Sequence, residues 1–225
     1  MVTKILLGTI WVAFVSYTLW LAPIDQSDSL PVVQKLITGQ WSDLNPYLVS
    51  LFNLMGVWPM IYACLIFVDG KTQKIPAWPF WIASNGAGAL ALLPYLILRK
   101  PNQEVPEVKN WLLKSLDSRW TGIVLSITTI GLLAYALLLG DWGDYVRQCQ
   151  TQSFPYLMSL DFCTLTLVFP SLLGDDMARR GWNNPRLFWA FALVPLLGPL
   201  AYLCFRPSLV SSEGKDSPVV ALSSN

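Results

Sequence analysis

The 225-residue chain contains no histidine, and that absence removes more chemistry than any motif adds. Imidazole is the usual general base near neutral pH, the commonest metal ligand and a frequent axial ligand of haem. A Ser-His-Asp triad, di-iron chemistry of the Glu-x-x-His kind and His-ligated haem are therefore excluded. Chlorophyll could bind only through water or a carbonyl. Charge is also scarce: Asp, Glu, Lys and Arg make up 13% of the residues, against about 25% in an average soluble domain. Fifteen basic and fourteen acidic residues leave a net charge of +1, so no global field exists to recruit nucleic acid or an acidic substrate. Cysteine is sparse and scattered. Cys64, Cys149, Cys163 and Cys204 lie far apart, three of them inside apolar runs, where they behave as small buried hydrophobes and suggest neither a disulfide framework nor a metal site.

What the chain has in quantity is apolar length. Hydrophobic residues reach 54% and the mean hydropathy is +0.47, the composition of an integral membrane protein. A helix needs about 20 predominantly apolar residues to cross the hydrocarbon core. Six runs meet that length: Lys4–Pro23, Tyr47–Val68, Trp78–Leu98, Trp120–Gly140, Pro155–Gly174 and Leu187–Phe205. Trp20, Trp78, Trp81, Trp120, Trp142 and Trp182 cluster at their edges, as rings that prefer the headgroup zone do. Arg99, Lys100, Arg119 and Arg206 lie just outside, where long side chains snorkel. The first run lacks a small-x-small cleavage site before Pro23, so it reads as a retained span rather than a secretory leader. The expected fold is all-α with six transmembrane helices.

Between the runs, residues 24–45 and 101–119 mix charge with Leu, Val and Trp in a short amphipathic pattern that suits helices lying on the membrane surface. The Ser-rich residues 208–225 have no periodic apolar face and read as a disordered tail.

A repeat organises the rest. "PYLVSL" at 46–51 returns as "PYLMSL" at 155–160, Phe80-Trp81 as Phe188-Trp189, and "YLILRKP" at 95–101 as "YLCFRP" at 202–207. The division expected is a first three-helix repeat over 1–101, an interfacial linker over 102–119, a second repeat over 120–207 and a tail over 208–225. Two successive copies of an odd number of spans must face opposite ways, which predicts a 3+3 inverted repeat. Counting Lys and Arg on that topology gives six on one side and nine on the other, placing both termini outside the cytoplasm or stroma.

Asp161 is the one carboxylate well inside an apolar run. Six residues past Pro155 it sits about 9 Å deep, where a charge must find a partner or a wet cavity, or stay protonated. Asn53 holds a nearby depth in the first copy, and Ser84 and Asn85, with Gly86 and Gly88, give the third run a small polar patch. Asp161, Asn53, Asn85 and Ser84 are thus ligand or ion candidates. "GDDMARRGW" at 174–182 is the densest charge cluster: Asp175 with Arg179 and Asp176 with Arg180 stand at i, i+4 and suit ion pairing, or a lipid headgroup or partner. Its Asp-x-x-Ala-Arg is similar to the motif of membrane phosphatidyl-alcohol transferases, but that family's glycine and downstream metal-binding aspartates have no counterpart. "VDGKTQK" at 68–74 reads as a turn between spans.

The second hairpin, with its intramembrane Asp, Asp-x-x-x-Arg-Arg loop and Gly-Pro-Leu-x-Tyr-Leu ending, resembles uncharacterised multi-pass proteins of cyanobacterial and plastid membranes over roughly 50 residues. The resemblance implies a thylakoid or bacterial inner membrane and no activity. The function expected is that of a non-catalytic auxiliary or assembly protein binding lipid, pigment or other membrane subunits. The alternative is a small secondary transporter with an Asp161/Asn53 site near the midplane.

Overall fold

The computed structural model describes residues 2–20, 29–104 and 110–209, and all regular structure among them is helical. The helices are α1 (Val2–Trp20), α2 (Ser29–Thr38), α3 (Pro46–Asp69), α4 (Trp78–Leu98), α5 (Trp111–Asp117), α6 (Arg119–Leu139), α7 (Trp142–Thr151), α8 (Ser153–Val168), α9 (Pro170–Arg179), α10 (Pro185–Leu193) and α11 (Leu197–Phe205). Their starts are chemically marked. Asn45, Ser118, Asp141 and Asn184 each accept a first-turn amide of the helix that follows, satisfying donors that have no intrahelical partner. Pro46 and Pro185 open α3 and α10, where a missing N–H costs nothing.

Among the described residues, α1, α3, α4, α6 and the continuous α8–α9 rod are long and apolar enough to cross a membrane. The chain is an all-α, multi-pass integral membrane protein. The sixth expected span is not one helix. Run Leu187–Phe205 breaks at 194–196, with Leu196 at φ +60°, leaving α10 and α11 with nine residues each, about 13 Å of helix and less than half a bilayer core.

The third expected span also fails to cross. Gly88 has φ +51° and ψ −129°, a conformation that residues with a Cβ rarely hold, and the chain reverses there. The Phe80 and Tyr95 rings lie 5.7 Å apart, although a straight helix would separate them by about 22 Å. Gln73, ahead of α4, exchanges two hydrogen bonds with the backbone of Lys100 behind it, at 2.7 and 2.8 Å. The second copy does the same: Trp182, just before α10, is 6.3 Å from Tyr202 near the end of α11. Four segments therefore traverse the molecule, α1, α3, α6 and α8–α9, and two hairpins enter and leave by one face.

That face, here the basal face, carries the ends of α3 and α9, where Arg179 pairs with Asp69. At the opposite, apical face, Asn45 before α3 donates to the Asp141 carbonyl and the Asp144 carboxylate beside α7, at 2.8 and 2.9 Å. Helices α3 and α8–α9 thus run in the same direction. Each copy is a span, an apical surface helix, a returning span and a basal hairpin, so it contains two crossings. An even number preserves orientation, so the segments that carry the repeated phrase run parallel, not inverted as the sequence predicts. The packing repeats too. Trp11 of α1 donates to the Leu90 carbonyl in the returning arm 89–98 at 3.0 Å, and in the second copy Gly122 of α6 lies against Leu203 and Cys204 of α11, with no room for a Cβ.

The charge count changes with the topology. Lys4, Lys71, Lys74, Arg99, Lys100, Lys114, Arg119, Arg179, Arg180, Arg186 and Arg206 lie at the basal face, and Lys35 and Arg147 at the apical one. Short helices occur in both amphipathic stretches, at α2 and α5, and a further one, α7, joins α6 to α8. Residues 24–28 and 105–109 of the two amphipathic stretches lie outside the described residues, as do 210–225 of the expected tail. Leu209, at the head of that tail, is buried and its amide donates to Asp117 at 3.1 Å, so the ordered chain extends past 208.

Candidate functional site

The reversal at Gly88 creates the site. A Cβ on Gly88 would stand 1.7 Å from Oδ2 of Asp161: the glycine lets the carboxylate sit directly on the hairpin tip. Oδ1 of Asp161 accepts the Ala89 amide at 2.8 Å, capping the returning arm where its first amides need acceptors. The entering arm 78–87 brings its C-terminal, partially negative end to the same place. No cation lies within 4 Å of the Asp161 carboxylate among the described residues.

Around this tip is a cavity of about 300 Å³, lined by Asp161, Ser84, Asn85 and Gly86 and walled by apolar groups including Phe14 and Met55. Three of the four sequence-derived ligand candidates, Asp161, Ser84 and Asn85, meet here. Asn53 does not: its amide donates to the Val49 carbonyl of its own helix at 2.8 Å, while its neighbour Phe52 lines the cavity. Asp161 is eight residues into α8, about 12 Å from the apical end. Toward the basal side the way is filled by Trp58, Tyr62, Phe162 and Phe169, whose rings pack at 5.8–6.2 Å, with the Tyr62 hydroxyl donating to the Leu165 carbonyl at 2.6 Å.

The second charged constellation lies at the basal face and is of the opposite kind. Asp69, fully buried, accepts from the Tyr95 hydroxyl at 2.8 Å, from Arg99 at 3.0 and 3.2 Å, and from Arg179. Asp176, also fully buried, accepts from the Tyr202 hydroxyl at 2.5 Å, from Arg180 at 2.9 Å and from Arg206 at 3.5 Å. The two sets match in form: the Tyr-Leu-x-x-Arg end of each hairpin closes on an aspartate in the last turns of the preceding span. Asp175 completes the first set by pairing with Arg99, and Asp117 the second by pairing with Arg180 at 2.6 Å. Four carboxylates face four guanidiniums.

This arrangement refines the reading of residues 174–182. Asp176–Arg180 forms the i, i+4 pair that the spacing predicts. Asp175 and Arg179 instead cross to Arg99 and Asp69 of the first copy. All four headgroup or partner candidates, Asp175, Asp176, Arg179 and Arg180, are engaged within the chain. Asp69, read from sequence as part of a turn, is an anchor, and the signal for it was the repeated Tyr-Leu-x-x-Arg, which has a use only if each copy also supplies an acid.

At the apical surface, hydrogen bonds from the Asn45 side chain and from Arg147 hold the Asp144 carboxyl below the usual carboxylate range. Burial pushes the Tyr145 phenol up to about 12, so it is a neutral donor at physiological pH. Comparison with protein-family models, with curated proteins and with solved structures gives no match.

Proposed function

We propose that this chain is a membrane-embedded carrier whose Asp161 takes up a proton or a small solute bearing one positive charge from the apical side. The observation that carries the reading is the contrast between the two acidic sites. The basal aspartates are neutralised one for one, whereas Asp161, inside the bilayer, faces a cavity with no counter-charge supplied by the described chain. A carboxylate at that depth is costly unless it holds a proton or a cation, and the adjoining end of the first arm also favours positive charge. Broken helices meeting at an intramembrane cavity are the usual construction of carrier sites.

The excess of basic residues at the basal face, still seven to two among the described residues when the four internally paired arginines are set aside, favours the cytoplasm or stroma for that face by the positive-inside rule. The cavity then opens outward, with the aromatic plug and the clasped hairpins closing the inner side. The test uses liposomes containing the purified chain and an internal pH dye. An external acid step, and separately methylammonium as the cation probe, should produce saturable entry with the native chain and none with Asp161→Asn. Equal rates for both proteins under both conditions would dispose of the carrier reading.

A second reading, an auxiliary or assembly component of a thylakoid or bacterial inner membrane that binds lipid, pigment or other subunits, is favoured by the outer faces of α1 and α6. These expose Leu6, Val12, Leu19, Val124, Ile127 and Ile130 by more than half each, leaving room for neighbours. Purification in mild detergent would support it through stoichiometric co-purifying subunits or pigment, and a lone colourless particle would oppose it.

A further inference from the structure

A second cavity is larger than the one at Asp161. It lies on the other side of α8, holds about 640 Å³, and runs from Trp142 and Tyr145 of α7 down past Tyr156 and Leu160 to Cys163. That volume is ordinary for a small-molecule site, and its direction is that of a molecule with its head among interfacial rings and its tail in hydrocarbon. Cys163 is ten residues into α8, about 15 Å below the apical surface.

Three observations define the occupant. No Asp, Glu, Lys or Arg lines the cavity, so an ionic head would be desolvated with nothing to pair with. The polar groups present are uncharged, namely hydroxyls, the Gln150 amide and the thiols of Cys149 and Cys163, and one hydroxyl is free to donate. Tyr17 donates to the Tyr156 hydroxyl at 2.8 Å, while the proton of Tyr156 has no acceptor among the described residues. The neighbouring Tyr145 hydroxyl and Ser159 satisfy each other at 2.7 Å. The walls at that end are Trp142 and three tyrosines, and Trp142 and Tyr145 stand 5.6 Å apart, surfaces suited to a flat ring.

We propose that this cavity binds an uncharged, ring-bearing amphiphile of the prenylated quinone class, with a ring carbonyl accepting from Tyr156 and the tail running along α8 past Cys163. The site is separate from Asp161 and does not depend on the carrier reading. The experiment is equilibrium binding of decyl-benzoquinone to the full chain in phosphatidylcholine nanodiscs, measured against empty nanodiscs, with decanoate and decylamine as charged comparators. The quinone should bind saturably, and neither charged chain should compete. Tyr156→Phe keeps the ring and the Tyr17 contact surface but removes the donor, and should weaken binding about threefold to tenfold. Cys163→Phe, at an exposed position, fills the tail end and should abolish binding. Thermal unfolding of both variants checks that they fold. Partition no greater than into empty nanodiscs, competition by decanoate, or native affinity in both folded variants would overturn the proposal.

Discussion

Replacing Gly88 by alanine tests the hairpin architecture through the sign of its effect. If residues 78–98 formed a straight spanning helix, Gly→Ala would stabilise it by about 1 kcal/mol. In the structure the new Cβ meets two obstacles. It must adopt φ +51°, which costs about 1–3 kcal/mol. It must also displace Asp161, whose Oδ2 stands 1.7 Å away, breaking the bond to the Ala89 amide at a cost of about 1.5–3 kcal/mol for a charged acceptor. The expected loss is about 2.5–6 kcal/mol, read from tryptophan fluorescence during unfolding in mixed micelles of rising SDS fraction. In an Asp161→Ala background the collision disappears and only the strain, about 1–3 kcal/mol, should remain. Gly131→Ala, on α6 with nothing within 4 Å, serves as the comparison and should be neutral or mildly stabilising. A stabilising Gly88→Ala would refute the reversal at Gly88 and restore a crossing helix.

The same topology is open to chemical labelling: single cysteines at Gln73 and Lys100 should react with an impermeant maleimide from one and the same side of sealed vesicles, and labelling from opposite sides would restore the straight span. At the basal clasp, Asp69→Ala leaves Arg179 without a carboxylate and Arg99 with Asp175 alone and should cost about 3–5 kcal/mol, the usual penalty for removing one partner of a buried pair; a loss below about 1 kcal/mol would mean that the guanidiniums find water instead. Asp144 gives a pH signature. Its carboxyl titrates lower in the folded chain than in the unfolded one, so its contribution is complete above the ordinary carboxylate range, about pH 4, and is lost as pH falls through the lowered value. Acid titration of the unfolding midpoint should show a shallower decline below that range for Asp144→Asn, and superimposable curves would contradict the Asn45 and Arg147 contacts.

Much of the fold could be read directly from the residues, and the part that could not has a definite cause. Membrane character, helices within both amphipathic stretches and the meeting of Asp161 with Ser84 and Asn85 follow from composition and spacing. The hairpins do not, because an apolar stretch of about 20 residues looks the same whether it crosses or folds back. Gly88 resembles one more small residue in a polar patch. That single ambiguity propagated into the wrong parity of crossings, the wrong repeat symmetry and a diluted charge count. Asn53 was placed at the site by depth alone, and depth does not say which side of a helix a residue faces. The clasp was half visible, since both Tyr-Leu-x-x-Arg sequences were evident while Asp69 and Asp176 sit at different offsets from surrounding landmarks.

The two hairpins also bear on how the protein reaches its membrane. Since neither crosses, the polar segments that must be carried to the far side during insertion are confined to the α1–α3 and α6–α8 connections, which hold between them just two basic residues, Lys35 and Arg147. On the orientation proposed above, every strongly basic segment stays on the side of synthesis. Insertion then reduces to delivering two pairs of helices with weakly charged connections, each followed by a hairpin that enters from the side it was made on, and the first clasp is complete only when Asp175 and Arg179 of the second half reach Arg99 and Asp69.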